Sequence, residues 1–139
     1  MVRVLQPWHV NSLKRQVKAP KIYFRDSGLL HQLLQHPRLG ASWEGFVIEQ
    51  LLASWRPEGA WFWATHGGAE LDLLVIQGGR RLGVEIKRAD APRLSASMRQ
   101  VLVDLELDEL LVITPGERSY RIHERARVVT LAEALAAGA

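Results

Sequence analysis

Hydrophobic residues recur at helical spacing between Ser42 and Pro57. Trp43, Val47, Ile48, Leu51, Leu52 and Trp55 form one stripe, with Ser42 placed to cap its start and Pro57 to stop it. The period then changes. WFWAT, residues 61–65, is aromatic-rich and reads as a strand. ELDLLVI (70–76) and RLGVEIK (81–87) read as two more strands around QGGR, in which Gly78-Gly79 is a hairpin turn. Pro92 suits a first helical turn, and Leu94, Met98, Val101, Leu102 and Leu105 continue as an amphipathic helix. ELLVIT (109–114) is a strand ended by Pro115-Gly116, with YRI and RVV as shorter strands. Thr130 and Glu133 form a capping-box pattern for a last helix closing near Gly138. Ahead of Ser42 stand a short strand (Val2, Val4), a basic connector, an extended PKIYFRD, and an apolar segment from Gly28 to Gln35 stopped at Pro37. From residue 42 the order is α-β-β-β-α-β, a mixed α/β domain (41–139) behind an N-terminal basic segment (1–40) that packs on it.

The hairpin makes a chemical statement through its register. A turn centred between Gly78 and Gly79 sets Asp72 opposite Glu85 and Glu70 opposite Lys87. The two acids' Cβ atoms then lie about 5 Å apart. At an effective dielectric near 20, their repulsion is roughly 3 kcal/mol. A divalent cation between them removes that cost, because hard cations such as Mg²⁺ take one or two carboxylates with waters and phosphates. The plainer alternative is a solvated β-face on which Lys87 bridges to Glu70. On the first helix, at about 100° per residue, Glu44 falls in the middle of the apolar arc and Glu49 about 140° away, on the side expected to face solvent. An acid on a core-facing arc needs a partner, although a first-turn position also favours a carboxylate through the helix dipole.

Composition narrows the classes. The 139 residues are 47% hydrophobic and 24% charged, the profile of one globular domain. Cysteine is absent, which excludes disulfide frameworks and thiolate metal sites. No apolar run reaches the roughly 18 residues of a membrane span, so no membrane role and a cytoplasmic location are expected. The net charge of +3 is unevenly placed. Residues 1–40 hold seven basic residues against Asp26 alone, a net +6, whereas the remaining 99 hold eleven basic and fourteen acidic, a net −3. The basic segment reads either as a nucleic-acid contact surface, through Lys14, Arg15, Lys18 and Lys21, or as a solvated arm. His9, His31, His36, His66 and His123 lack zinc spacing, Ser27 and Ser42 read as caps, and the five tryptophans read as core or interface.

Glu44, Asp72 and Glu85-x-Lys87, on this order of elements, resemble the PD-(D/E)XK nuclease-like superfamily, with its restriction-endonuclease-like core. The thirteen-residue step from Asp72 to Glu85 is similar to that in archaeal Holliday-junction resolvases, and Leu71 stands where the superfamily's name has proline. The resemblance implies Mg²⁺ or Mn²⁺ held by Asp72, Glu85 and the main-chain carbonyl of Ile86. It makes Lys87 the residue that orients water or stabilises charge, and Glu44 the helix acid. Glu70 and Gln100 are candidates for accessory roles. Over nearly the whole chain, KAPKIYFRDSGLL, GASWEGFVIEQLL, AELDLLV and GVEIKRA resemble the C-terminal domain of unknown function, family 4143, of prokaryotic AAA-type ATPases. Nothing here matches G-x-x-x-x-G-K-[ST], so no ATP site is expected in this chain, which is then a stand-alone or truncated member or has its ATPase module in another chain. The expected function is metal-dependent cleavage of nucleic-acid phosphodiesters, for which a homodimer suits cutting two strands. Two alternatives stand beside it: a non-catalytic regulatory or oligomerisation module of an AAA-type ATPase, and nucleic-acid binding without cleavage.

Overall fold

The structure, a computed structural model, describes residues 1–8, 18–25 and 39–138. The apolar segment Gly28–Gln35, Ser27, Lys14, Arg15, His9, His31 and His36 lie outside the described residues. The elements in chain order are β1 (Val2–Pro7), β2 (Lys21–Phe24), α1 (Leu39–Trp55), β3 (Gly59–Ala64), β4 (Glu70–Gln77), β5 (Arg80–Ile86), α2 (Ala96–Asp104), β6 (Glu109–Thr114), β7 (Tyr120–His123), β8 (Ala126–Thr130) and α3 (Leu131–Ala137). Among the described residues the strands form one mixed eight-stranded sheet in the order β2-β1-β3-β4-β5-β6-β8-β7, with three helices. The protein is thus α/β. None of these helices is long and apolar enough to cross a membrane.

Both faces of the central strands are buried, so β4, β5 and β6 read as nearly continuous apolar runs. On one face Leu73, Val75, Val84 and Ile113 pack with Val47, Ile48, Leu51 and Trp55 of α1 and Ala134 of α3. The Trp55 indole N–H donates to the Ala134 carbonyl at 3.0 Å, tying those two helices together. On the other face Leu71, Leu74, Leu110 and Val112 pack with Met98, Val101 and Leu102 of α2. Trp55 and Trp63 are core residues, and Trp61 meets Trp8 edge to face at 4.6 Å between ring centroids.

The expected helix starts need correction at two points. Ser42 lies inside α1, because the helix runs from Leu39 and its apolar stripe begins only in the second turn. Pro92 precedes α2, whose N-cap is Ser95; its hydroxyl accepts from the Met98 N–H at 3.1 Å, supplying the acceptor that an N-terminal turn lacks. Leu94 still packs on the α2 cluster from outside the helix. Thr130 caps α3 as expected, accepting from the Glu133 N–H.

A larger correction concerns Glu49, which is only 7% exposed. Its carboxylate pairs with the Arg3 guanidinium and, at 3.2 Å, with that of Arg25. The reason is the β1–β2 pair, in which Arg3 lies opposite Tyr23 and Leu5 opposite Lys21. Alternation puts Arg3, Leu5, Lys21, Tyr23 and Arg25 on one side, and that side covers the flank of α1 the helical wheel assigns to solvent. Glu49→Ala leaves two guanidinium groups without their acceptor and is expected to cost about 2 kcal/mol in denaturant unfolding. Glu117→Ala, at an exposed position, is expected to stay within about 0.5 kcal/mol of the native protein.

Candidate functional site

The hairpin turn sets the site. Gly78 and Gly79 both take positive φ, 56° and 76°, the backbone of a two-residue turn that most side chains resist. The ladder it starts runs from Gln77 opposite Arg80 to Leu73 opposite Val84, the register expected from the sequence. Beyond Val84 the two strands part. β5 continues beside β6, with the Lys87 N–H donating to the Ile113 carbonyl at 2.9 Å. β4 continues beside β3, where Leu71 pairs with Trp63 and Glu70 with Ala64.

At the fork β4 holds one extra residue. Two steps along β3, from Trp61 to Trp63, correspond to three along β4, from Leu74 to Leu71. Leu71 accordingly joins the α2-side core while Leu73 joins the α1-side core, although strict alternation would put both on one face. A bulge re-aims the side chains around it. Here the Asp72 carboxylate turns into the gap between the parting strands, where its Oδ2 accepts the Ile86 N–H at 2.8 Å in place of the next ladder bond.

Five groups surround this carboxylate. Lys87 Nζ lies 2.5 Å from Glu85 Oε1, so the E-x-K pair meets on one side of β5. From α1, Glu44 Oε1 accepts from the Tyr23 hydroxyl at 2.6 Å and from Lys21 Nζ at 3.4 Å. Lys21 Nζ also lies 3.7 Å from Asp72 Oδ1 and 5.3 Å from the centre of the Phe62 ring. A Cβ at position 45 would meet the Tyr23 ring at 3.2 Å, so Gly45 leaves room for that ring against the helix. Glu44 sits beyond the first turn of α1, which removes the helix dipole as the reason for its placement.

Burial dominates the electrostatics. Removal from water, then the Glu85 and Glu44 charges, push the Asp72 carboxyl up to about 7. Burial raises Glu85 as well, against the pull of Lys87. Burial draws Lys87 down, but its hydrogen bond to Glu85 and that charge outweigh burial and hold the ammonium above its ordinary range. Burial and the Glu44 hydrogen bond lift the Tyr23 hydroxyl far above its usual range, so it remains a donor.

The structure therefore gathers Glu44, Asp72, Glu85 and Lys87 at one fork and adds Lys21 and Tyr23, which the sequence reading did not place there. The signal was available in KIYF, whose alternation sets Lys21 and Tyr23 on one face. Glu70 stays at the rim, exposed, 3.9 Å from Lys18 Nζ rather than opposite Lys87. Gln100 is exposed on α2 and donates to Asp104 at 3.2 Å. Among the described residues no three Asp, Glu or His side chains form a metal-holding group. The donor set at the fork is nonetheless hard oxygen, two carboxylates on adjoining strands, which suits Mg²⁺ or Mn²⁺ rather than a soft ion. A cavity of about 800 Å³ lies off this site, lined by Asp90, Ala91, Arg118, Ser119 and Tyr120.

Known proteins give the chain its relatives. It is 46% identical over 147 residues to the uncharacterized protein Rv2008c of Mycobacterium tuberculosis and, equally, to the uncharacterized protein Mb2031c of Mycobacterium bovis. Each comparison covers 99% of this chain and 33% of the relative, so the chain spans about a third of the length of the curated relatives it matches. No solved structure matches. Residues 1–39 match a domain of unknown function, DUF8612. Residues 39–134, well over half of the chain, match a second domain of unknown function, DUF4143, and the chain belongs to that family.

Proposed function

We propose that the β4–β5 fork is the divalent-cation site of a restriction-endonuclease-like, PD-(D/E)XK-type domain that cleaves nucleic-acid phosphodiesters. One observation carries the reading: a β-bulge turns Asp72 into the gap where two strands part, beside buried Glu85 and facing Glu44 from α1. A divalent ion bound there supplies a polarised water and charge neutralisation at a phosphate. Asp72 and Glu85 are its carboxylate donors, with the Ile86 carbonyl as the third. Lys87 holds the Glu85 carboxylate in place and presents an ammonium to the charge that develops on a phosphate oxygen. Glu44, fixed by the Tyr23 hydroxyl, contributes its acceptor oxygens to the water network. A second reading has its own support. Each of the three acids already touches a lysine, as expected of a site whose fold persists in a non-catalytic module.

The acid cluster works against stability, and the sign follows from the shift. Asp72 titrates near 7 when folded and near 3.8 when unfolded, so between those values the folded protein holds a proton that the unfolded chain releases. Its contribution to stability is therefore fully present below about pH 4 and is lost as pH rises through about 7. A group that stability alone selected would not be placed so.

Homogeneous protein with Mg²⁺ or Mn²⁺ is expected to cleave duplex, branched or single-stranded DNA, and Asp72→Ala or Lys87→Ala to slow it by about 100-fold or more. No cleavage, or equal cleavage by the variants, overturns the nuclease reading in favour of the non-catalytic one. Asp72→Asn keeps an acceptor for the Ile86 N–H and removes the charge. In urea unfolding without metal it is expected to flatten the fall in stability between pH 4 and 7 and to exceed the native protein by roughly 2 kcal/mol at pH 8.

A further inference from the structure

Lys21 and Lys87 both meet the acid cluster, but in different ways. Lys87 is committed to one carboxylate, at 2.5 Å from Glu85. Lys21 Nζ stands between two, at 3.4 Å from Glu44 Oε1 and 3.7 Å from Asp72 Oδ1. These separations are longer than the roughly 2.8 Å of a tight charge-assisted hydrogen bond. An ammonium is a compact point charge, so it rests between acids where a metal ion would. It arrives from β2, far in sequence from the fork, on the face that also carries Tyr23. Its side chain is 29% exposed on a flexible four-carbon stem, so the head can swing to solvent without unfolding the strand. Glu44 keeps its Tyr23 hydrogen bond when the ammonium leaves.

We propose that Lys21 is a tethered counter-ion that holds the cation position between Glu44 and Asp72 and must withdraw before a divalent ion engages Asp72. The proposal rests on the reading of the fork as a divalent-cation site. Ammonium and dication repel at such range, so the two are alternatives, and the Lys21 side chain becomes the group that opens or closes the site. Cation entry is an exchange: the ion takes up the ionised Asp72 carboxylate as the Lys21 ammonium, keeping its own protons, releases it.

The test is Mn²⁺ binding to the full chain, read by electron paramagnetic resonance and by calorimetry, without nucleic acid. Lys21→Met keeps the stem and removes the charge, and it is expected to bind Mn²⁺ at least tenfold more tightly than the native protein. Lys21→Gln serves the same purpose if the methionine variant loses its cooperative melt. Lys21→Arg, which retains a cation, is expected to stay near native affinity, and adding Asp72→Asn to Lys21→Met is expected to abolish the gain. If Mn²⁺ binds in an Asp72-dependent way but Lys21→Met and Lys21→Gln match or fall below the native protein, the counter-ion proposal is overturned while the cation site stands. If no variant shows Asp72-dependent binding, the cation-site reading falls and the proposal with it.

Discussion

Two buried carboxylates, from β4 and β5, and a half-buried third from α1 converge on one space, and their charge has to be answered within the protein. Glu85 is answered along its own strand by Lys87. Glu44 and Asp72 are answered from the N-terminal hairpin by Lys21, with Tyr23 adding a neutral donor. Glu49 repeats the pattern one turn further along α1, where Arg3 and Arg25 meet it from the same hairpin face. The basic side chains described in the N-terminal segment are therefore each paired with an acid of the body. Arg3, Lys21 and Arg25 answer acids of α1, and Lys18 answers Glu70 of β4.

This arrangement explains why β1 and β2 sit where they do. Val2, Val4 and Ile22, on the outward side of the pair, are exposed, so apolar burial holds this hairpin chiefly through Leu5 and Tyr23. Ion pairs of partly exposed groups add little individually. Those at Glu49 differ because the shared carboxylate is buried, where losing both guanidinium groups leaves its charge uncompensated. Docking of the hairpin and the electrostatics of the fork thus share one surface, and a change in one is felt by the other.

The elements that local chemistry determines were legible in the sequence. Two adjacent glycines at positive φ leave the hairpin one register, and that register brings Asp72 toward Glu85 without knowledge of the rest of the fold. Thr130 likewise announces its helix through a bond made within four residues. What was not legible depends on partners distant in sequence. The bulge at Asp72 arises from a mismatch between β3 and β4, and neither strand's alternation reveals it alone. Glu49 is polar on a helical wheel that knows one packing face, and it becomes buried only because a hairpin more than twenty residues upstream supplies a second. Ser42 and Pro92 show the weaker form of the same problem. Each is a competent start signal, but Leu39 and Ser95 mark where the chain's hydrogen bonding begins.

The bulge and the counter-ions belong to one physical solution. With strict alternation Asp72 would leave the sheet on the face where Leu74 packs with the apolar α2 layer. One inserted residue moves its carboxylate to the α1 side, where Lys21 and Glu44 stand, and lets it take over the ladder bond that the parting strands leave open. That exchange also limits what the carboxylate can do. Oδ2 spends one lone pair on the Ile86 N–H, so Oδ1, the oxygen facing Lys21, is the more open of the two. The more open oxygen of Asp72 therefore faces an ammonium carried by β2, which ties the electrostatics of the fork to the position of that strand.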